Sequence, residues 1–348
     1  AIQCFSGIKT IFKTKNPVII FPASGTGAWE AALVNTLNEG DHVLMVETGH
    51  FASLWNKMAI KLGLNTEFIE TNWRNGLDHL QIEKRLKLDV NQKIKAVCIV
   101  HNETSTGCTS DVRAVRQVLD NLKHDALLMV DSISGLASMN YEHDNWGVDV
   151  TVSGSQKGLM LPPGLSFNAI SDKALLASKN SKMRRSYWDW SEFLEFNKSG
   201  FFPYTPATNM LFGLKEAIAM LHEEGLENVF KRHARYSEAT RIAIQSWGLE
   251  VFCSNKDRFS DVLTAVIVPD NKDADQLRKV ILENFNMSLG NGLSKLKGKV
   301  FRIGHLGDLS DLSLLGTLNG VEMGLDLMNI PFQRGGVEKA REYLKDNL

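Results

Sequence analysis

The residues that could do chemistry in this chain stand where short apolar runs end. Lys157 lies at the tip of the small-residue loop 153–158, directly after the apolar run at residues 148–152. A lysine amine there can form a Schiff base if burial or nearby cations disfavour its charged form. Most lysines lie in solvent, but the stiff apolar run LMLPPGL at residues 159–165 follows and argues against a solvated loop. The pattern therefore indicates a reactive amine.

An acid occupies a similar position, because Asp131 comes directly after the apolar run ALLMV. A carboxylate at the C-terminal end of a buried parallel strand lies where open α/β sheets bind ligands. Burial of its charge is costly unless a cation or hydrogen-bond donors compensate. This position predicts that Asp131 is the partner of a protonated heteroaromatic nitrogen in a ligand. The alternative is a cap for a helix that starts at Ser132.

The run Ser24-Gly25-Thr26-Gly27 lies between an apolar run at residues 18–21 and a helical pattern. Small residues let the backbone approach an anion, and a helix N-terminus supplies free N–H groups and a positive partial charge. The hydroxyls of Ser24 and Thr26 can add donors. This arrangement suits a phosphate monoester, although a tight turn with a Ser or Thr cap has the same pattern.

An aromatic residue and a hydroxyl-rich run complete the set. Phe51 follows the apolar run 43–46 and could stack on a planar cofactor or pack under a loop. The run 102–107, which contains Thr104, offers hydroxyls at another strand end or forms a polar turn, and we expect the adjacent His101 to be structural. An anion clamp, a ring stack, a pyridinium partner and a Schiff-base lysine are the parts needed to hold pyridoxal 5′-phosphate.

Short apolar runs alternate with amphipathic helical stretches through the first three-quarters of the chain, which predicts an α/β fold with a largely parallel sheet. The predicted strands lie at residues 18–21, 41–46, 66–69, 94–100, 126–130 and 148–152, and the predicted helices at 28–38, 57–62, 77–88 and 111–122. After Gly225 the pattern changes to a long helix followed by short strands and helices. We therefore expect a large domain at residues 1–224 and a smaller α+β domain at residues 225–348.

The composition of the chain excludes several classes of binding partner. The 348 residues include 39 Lys and Arg against 40 Asp and Glu, and this balance argues against nucleic-acid binding. No apolar run approaches the roughly 20 residues of a membrane span. The four cysteines form no CxxC pair and have no His or Cys neighbours at zinc-ligand spacing. We expect small-molecule substrates, no metal and a reduced, cytoplasmic compartment.

Longer runs resemble the class V aminotransferases of fold-type I, in the group that contains the alanine–glyoxylate and serine–glyoxylate enzymes. The resemblance covers essentially the whole chain, and SGSQK followed by PPG is its most specific part. It implies a large, mostly parallel α/β/α domain, a smaller C-terminal α+β domain and a homodimer. The matching runs are at residues 24–37, 101–107, 130–138, 146–165, 203–214 and 301–307.

The resemblance also implies roles for individual residues. Lys157 resembles the lysine that is bonded to pyridoxal 5′-phosphate, Asp131 the acid on the pyridine nitrogen, and Phe51 the stacking aromatic, which is often Trp in relatives. Five further residues resemble cofactor ligands, namely Ser24, Gly25, Thr26 and Gln156 at the phosphate and Thr104 near the ring hydroxyl.

Two more roles concern the substrate and the partner subunit. Arg302 resembles the arginine that binds the substrate carboxylate, and Thr205 resembles a phosphate ligand donated by the neighbouring subunit. Phe202 stands near where some relatives carry a phosphate-binding Tyr, so that contact is not expected here. The Pro-Gly-Pro arm of the family has no counterpart before Ala1, and we expect an N-terminal piece to be missing.

The implied function is transamination from a small amino acid, with L-serine as the first choice, to glyoxylate, which gives glycine and hydroxypyruvate. Alanine, aspartate and ureidoglycine are alternative donors. A cysteine desulfurase-like enzyme is the next alternative, with Cys253 as its candidate nucleophile. A nicotinamide-dependent oxidoreductase would need GxGxxG, which is absent. A non-catalytic scaffold would require that Lys157 cannot bind the cofactor.

Overall fold

A computed structural model describes all of residues 1–348. The strands are β1 (Val18–Phe21), β2 (His42–Glu47), β3 (Asn65–Glu70), β4 (Ile94–Val100), β5 (Asn102–Glu103), β6 (Cys108–Thr109), β7 (Leu127–Asp131), β8 (Val150–Gly154), β9 (Ser166–Ile170), β10 (Glu250–Val251), β11 (Leu263–Ile267), β12 (Gly290–Asn291) and β13 (Val300–Gly304). The helices are α1 (Ile2–Phe12), α2 (Gly25–Thr36), α3 (His50–Lys61), α4 (His79–Leu88), α5 (Val112–Asn121), α6 (Asp172–Asn180), α7 (Trp190–Asn197), α8 (Thr208–Glu224), α9 (Leu226–Ser246), α10 (Ala274–Phe285), α11 (Asp311–Leu327) and α12 (Gly336–Asp346).

The central sheet has seven strands in the order β1-β9-β8-β7-β4-β2-β3. Strands β3, β2, β4, β7 and β8 are parallel, and β9 is antiparallel to both β8 and β1. Strand β1 therefore points in the same direction as β8. Since the C-terminal ends of β1, β4, β7 and β8 meet at one edge, the segments that follow them are brought together there. The mostly parallel α/β fold expected from the sequence is confirmed.

The packing of α2 explains how this edge is built. Nearly all its side chains between Ala28 and Thr36 are buried, because the helix contacts β8 and β9 on one side and α6 on the other. The small residues Ala28, Ala31 and Ala32 permit this close packing. The helix N-terminus is thereby held at the C-terminal edge of the central sheet.

A second sheet, with the antiparallel order β10-β11-β13-β12, lies in the C-terminal part. Its hydrophobic core runs from Tyr236 to Leu344 and is separate from the two cores of the central sheet. Gly225, at φ +83°, joins α8 to α9. We keep the domain boundary near Gly225 as a proposal, because the start of α9, at Val229, still belongs to a core of the central sheet.

Several predicted elements need correction. The first turn of α2 includes Gly25, Thr26 and Gly27, whereas the sequence predicted a helix only from Ala28; a helix tolerates glycine where the backbone gains tertiary contacts. Helix α3 begins at His50, seven residues before the predicted start. Helix α1 was not predicted, although its buried residues recur with helical spacing: Cys4, Ile8, Ile11 and Phe12.

Other expectations match the structure closely. Strand β4 has the predicted bounds, and α5 lies within the predicted helix 111–122. Asp111 caps this helix by accepting a hydrogen bond from the Ala114 N–H. Asp131 is the last residue of β7, next to Val100 and Val152 on the neighbouring strands. No helix is both long enough and apolar enough to span a membrane.

Candidate active site

The C-terminal edge of the central sheet contains a cavity of about 200 Å³. Eight of the ten site residues predicted from the sequence line it, and Thr205 and Arg302 do not. The structure thus brings together side chains that are up to 133 residues apart in the chain. The lining residues are Ser24, Gly25, Thr26, Trp29, Phe51, Val100, Asn102, Thr104, Asp131, Ile133, Gln156 and Lys157.

One end of the cavity is suited to an anion. Ser24 is the N-cap of α2, but its hydroxyl makes no capping hydrogen bond, and both Ser24 and Thr26 are exposed. A Cβ on Gly25 would clash with the side chain of Ile133, so only glycine lets the helix start approach this wall. Gln156 also lines the cavity, and its side-chain NH₂ group, which makes no hydrogen bond within the chain, can donate to an anion. Free hydroxyls, a free amide and helix N–H groups together can bind a phosphate.

The cavity wall also carries a buried acid. Asp131 is 4% exposed, and its Oδ2 accepts a hydrogen bond from Trp29 Nε1 at 2.9 Å, while its Oδ1 accepts one from the Ile133 N–H at 2.7 Å. Burial raises the pKa of Asp131 from 3.8 to about 7. Each carboxylate oxygen keeps a free lone pair, so the group can accept a further hydrogen bond from a protonated ring nitrogen.

Lys157 lines the same cavity and is carried by a tightly packed turn. Ser155 Oγ donates to the Pro162 carbonyl at 2.8 Å and accepts from the Leu165 N–H at 3.1 Å, which closes the loop. A Cβ on Gly158 would clash with the Leu136 carbonyl, so the turn packs tightly against its neighbours. Burial lowers the pKa of Lys157, and the positive charge of Arg302 lowers it further. Both effects favour the neutral amine, which is the nucleophilic and basic form.

The remaining predicted residues near the cavity fall into two groups. Phe51, in the first turn of α3, and Thr104, after β5, are half-buried in the cavity wall. His101 is buried edge-on against Tyr141, with ring centroids 5.2 Å apart, and burial lowers its pKa to about 4. His101 does not line the cavity, so its ring acts as part of the packing.

Arg302 lies just outside the cavity on β13 of the second sheet. Its Nη1 donates to the Thr104 carbonyl at 2.6 Å, and its Nε donates to the Asn291 carbonyl at 2.9 Å. Burial lowers the pKa of the Arg302 guanidinium. Its Nη2 makes no hydrogen bond within the chain and remains free for an anion.

Thr205 is exposed and lies away from the cavity of its own chain. It belongs to a loop between α7 and α8 whose neighbouring residue Phe202 packs against Phe5, with ring centroids 5.2 Å apart. Phe202 has no hydroxyl and offers no phosphate contact.

Three features fit pyridoxal 5′-phosphate: a helix start suited to an anion, a buried acid that lines the same cavity, and a lysine with a lowered pKa. With the mostly parallel sheet, they define a fold-type I pyridoxal-phosphate enzyme. The profile of the family aminotransferase class-V matches residues 3–294. The chain belongs to the class-V aminotransferases, and it is a transaminase of this pyridoxal-phosphate-dependent family.

The chain is similar to curated relatives over almost its whole length. It is 46% identical to a serine–glyoxylate aminotransferase of Methylorubrum extorquens, covering 99% of this chain and 87% of the relative. It is 45% identical to a serine–glyoxylate aminotransferase of Arabidopsis thaliana, covering 98% and 86%. Among solved structures, ureidoglycine–glyoxylate aminotransferase of Bacillus subtilis superimposes with a TM-score of 0.90 at 26% identity, covering 99% of this chain and 89% of the other.

The sequence interpretation missed several residues at the site. Trp29 is one helical turn after Gly25, so the i, i+4 spacing could have placed its indole on the same face of α2. Asn102 and Ile133 each lie two residues after the last residue of a central-sheet strand, and neither was given a role from the sequence. Glu103 was also treated as part of a polar turn, but it is fully buried.

Proposed function

We propose that the protein transfers the amino group of L-serine to glyoxylate and so forms hydroxypyruvate and glycine. The observation that carries the transaminase chemistry is the cavity in which Lys157 and Asp131 lie beside an anion-binding helix start. The choice of serine is supported by 45–46% identity to serine–glyoxylate aminotransferases along nearly the whole chain.

In this proposal the cavity-lining residues would hold the cofactor. Ser24, Gly25, Thr26 and Gln156 would bind its phosphate, Phe51 would stack on its ring, and Thr104 would serve the ring hydroxyl. When bound, pyridoxal 5′-phosphate supplies an electron sink that weakens the bond between the substrate α-carbon and its proton. Asp131 keeps the ring nitrogen protonated, since its carboxylate is stabilised by a cationic partner.

Lys157 acts as both base and acid. Its Nζ takes the α-carbon proton from the amino donor and, in the second half of the reaction, returns a proton to the α-carbon of the nascent glycine. The lowered pKa of Lys157 favours the neutral amine that the first step requires. Arg302 binds the substrate carboxylate through Nη2, which makes no hydrogen bond within the chain, and so orients the donor and glyoxylate in turn.

The proposed assembly is a C₂ homodimer in which Thr205 reaches the phosphate of the partner subunit. The aromatic stretch before Thr205 is partly internal, since Trp190 and Phe193 are fully buried, but Phe201 and Phe212 are 67% and 75% exposed. Such exposed rings around an ordered loop are typical of an interface. The proposed compartment is the cytoplasm, because all four cysteines are buried and unpaired.

The experiment is a panel of amino donors with glyoxylate as acceptor, in which glycine formation is measured. Serine should give the highest kcat/KM, and alanine, aspartate and ureidoglycine are the alternative outcomes. A desulfurase-like activity needs a mobile nucleophilic thiol, yet Cys253 is 2% exposed and its thiol donates to the Asn255 carbonyl. If no donor yields glycine, the proposal is wrong, and failure to bind the cofactor as well would favour a scaffold.

A further inference from the structure

A fully buried carboxylate lies directly behind the cavity wall. Glu103 is 0% exposed and stands between the cavity-lining residues Asn102 and Thr104. No Lys, Arg or His nitrogen lies within 4.0 Å of its oxygens. A buried charge without an ion pair is costly unless hydrogen-bond donors surround it. Glu103 must therefore be held by the backbone around it.

The hydrogen-bond donors to Glu103 come from the start of α3 and from Ser105 in the turn after Glu103. Glu103 Oε2 accepts from the Ala52 N–H at 3.2 Å, and Oε1 makes a longer contact with the Phe51 N–H at 3.4 Å. Oε1 also accepts from the Ser105 N–H at 3.0 Å and from Ser105 Oγ at 2.7 Å. These first-turn N–H groups of α3 have no partner inside the helix, and a negative charge is favoured at that end. The carboxylate thus fixes the backbone that carries Phe51.

Gly49 shows how closely the carboxylate fits the helix end. A Cβ at this position would clash with Glu103 Cγ and would lie 2.5 Å from Ser105 Oγ. The backbone of Gly49 has φ 165°, which is extended and open to any residue, so the requirement for glycine is steric. Any larger residue would push Glu103 away from α3.

The same residue also connects to the second sheet. Thr104 follows Glu103 directly, and its carbonyl accepts the 2.6 Å hydrogen bond from Arg302 Nη1. The Glu103 charge opposes the effect of burial on the pKa of the Arg302 guanidinium. Movement of Glu103 would therefore shift the ring of Phe51 and the anchor of Arg302 together.

We propose that Glu103 is a positioning residue. Its hydrogen bonds join the start of α3 to the turn that contains Thr104 and Ser105. They fix Phe51 against the cofactor ring and Arg302 at the substrate carboxylate. This inference rests on the proposed function, because it takes Phe51 and Arg302 in the roles given above. It assigns a purpose to a buried carboxylate that does not itself contact the cavity.

The experiment compares Glu103→Gln and Gly49→Ala with wild type and with Gly316→Ala. The first variant removes the charge and places an amide NH₂ against N–H donors, and the second displaces the intact carboxylate. Gly316 is a matched control, because it is an exposed residue of α11 and an added Cβ there meets no atom within 4 Å. The readouts are cofactor release from the holoenzyme on dilution, visible circular dichroism of the bound cofactor, and KM and kcat for glyoxylate.

We expect both test variants to raise the cofactor dissociation constant and the KM for glyoxylate about tenfold or more, which is about 1.4 kcal/mol for each property. Both should also change the circular dichroism of the cofactor, because the Phe51 ring moves. The control should match wild type. If Glu103→Gln does not fold, Gly49→Ala and the milder Ser105→Ala, which removes one donor, decide the question.

Unchanged cofactor affinity, circular dichroism and KM in folded variants would overturn the inference, even if the melting temperature fell. That result would give Glu103 a purely structural role. Failure of the proposed function has a different result, because wild type would then make no glycine from any donor. Cofactor release and circular dichroism would still test whether Glu103 positions Phe51.

Discussion

Replacement of Asp131 by Asn should change how the stability of the cofactor-free protein depends on pH. Burial raises the pKa of Asp131 from 3.8 to about 7 in the folded chain. The folded state therefore binds a proton that the unfolded state has lost between these two pH values. Wild-type stability should fall as the pH rises through this window, because the folded protein must then carry a buried, unpaired carboxylate.

The magnitude follows from the two pKa values. A change of one pH unit corresponds to about 1.4 kcal/mol, so the full effect of Asp131 is about 4 kcal/mol. About 3 kcal/mol of it should appear between about pH 5 and about pH 8. The asparagine of the Asp131→Asn variant would have no charge to lose, but it could satisfy only one of the Trp29 and Ile133 N–H donors. That lost hydrogen bond shifts the stability of the variant by an amount that does not vary with pH.

The assay is urea unfolding of cofactor-free wild type and Asp131→Asn at a series of pH values. The free energy of unfolding of the variant minus that of wild type should increase by about 3 kcal/mol from about pH 5 to about pH 8. Saturating cofactor should reduce this trend, since a protonated ring nitrogen stabilises the Asp131 carboxylate.

A constant difference between the two proteins across this pH range would refute the reasoning. Asp131 would then be ionised throughout, and its two N–H donors would be enough to stabilise the buried charge. Activity provides a second check, because the variant should lose transaminase activity although its cofactor-free form tolerates high pH better.

Three further predictions concern the other site residues. Lys157→Ala should abolish turnover, and borohydride reduction with peptide mapping of wild type should find the cofactor on Lys157; a label on another lysine contradicts the assignment. Arg302→Lys keeps the charge but loses the planar fork, so KM for serine and for glyoxylate should rise about tenfold or more with cofactor absorbance intact, and unchanged KM values would exclude this role. Mixing Lys157→Ala chains with Thr205→Ala chains should restore activity, because the mixed dimer has one intact site. Mixing Lys157→Ala chains with Arg302→Ala chains should not restore activity. Equal activity of the two mixtures, or an active monomer, would contradict a site shared between two subunits.

The strand ends could be predicted from the sequence because their signals are local. Asp131 and Lys157 each follow a short apolar run, and parallel strands necessarily present their C-terminal ends at the same edge. The anion-binding start of α2 was also recognisable, although the helix begins three residues earlier than predicted. Local spacing therefore located most of the cavity.

The contacts between the two sheets could not be predicted in the same way. The hydrogen bond from Arg302 to Thr104 joins residues 198 positions apart, and no periodicity encodes such a pairing. The resemblance to a family predicted a role for Arg302, but it did not predict the contact with Thr104. The polar sequence around Glu103 is typical of an exposed turn, and only tertiary packing buries it against α3.

The most direct test of the central claim follows the nitrogen atom itself. The holoenzyme is given [¹⁵N]serine and unlabelled glyoxylate, and glycine and hydroxypyruvate are measured by mass spectrometry. We predict [¹⁵N]glycine and hydroxypyruvate in equal amounts with wild type and neither product with Lys157→Ala. Absence of labelled glycine with wild type, or its formation at the wild-type rate by Lys157→Ala, would contradict the assignment of serine–glyoxylate transamination to this site.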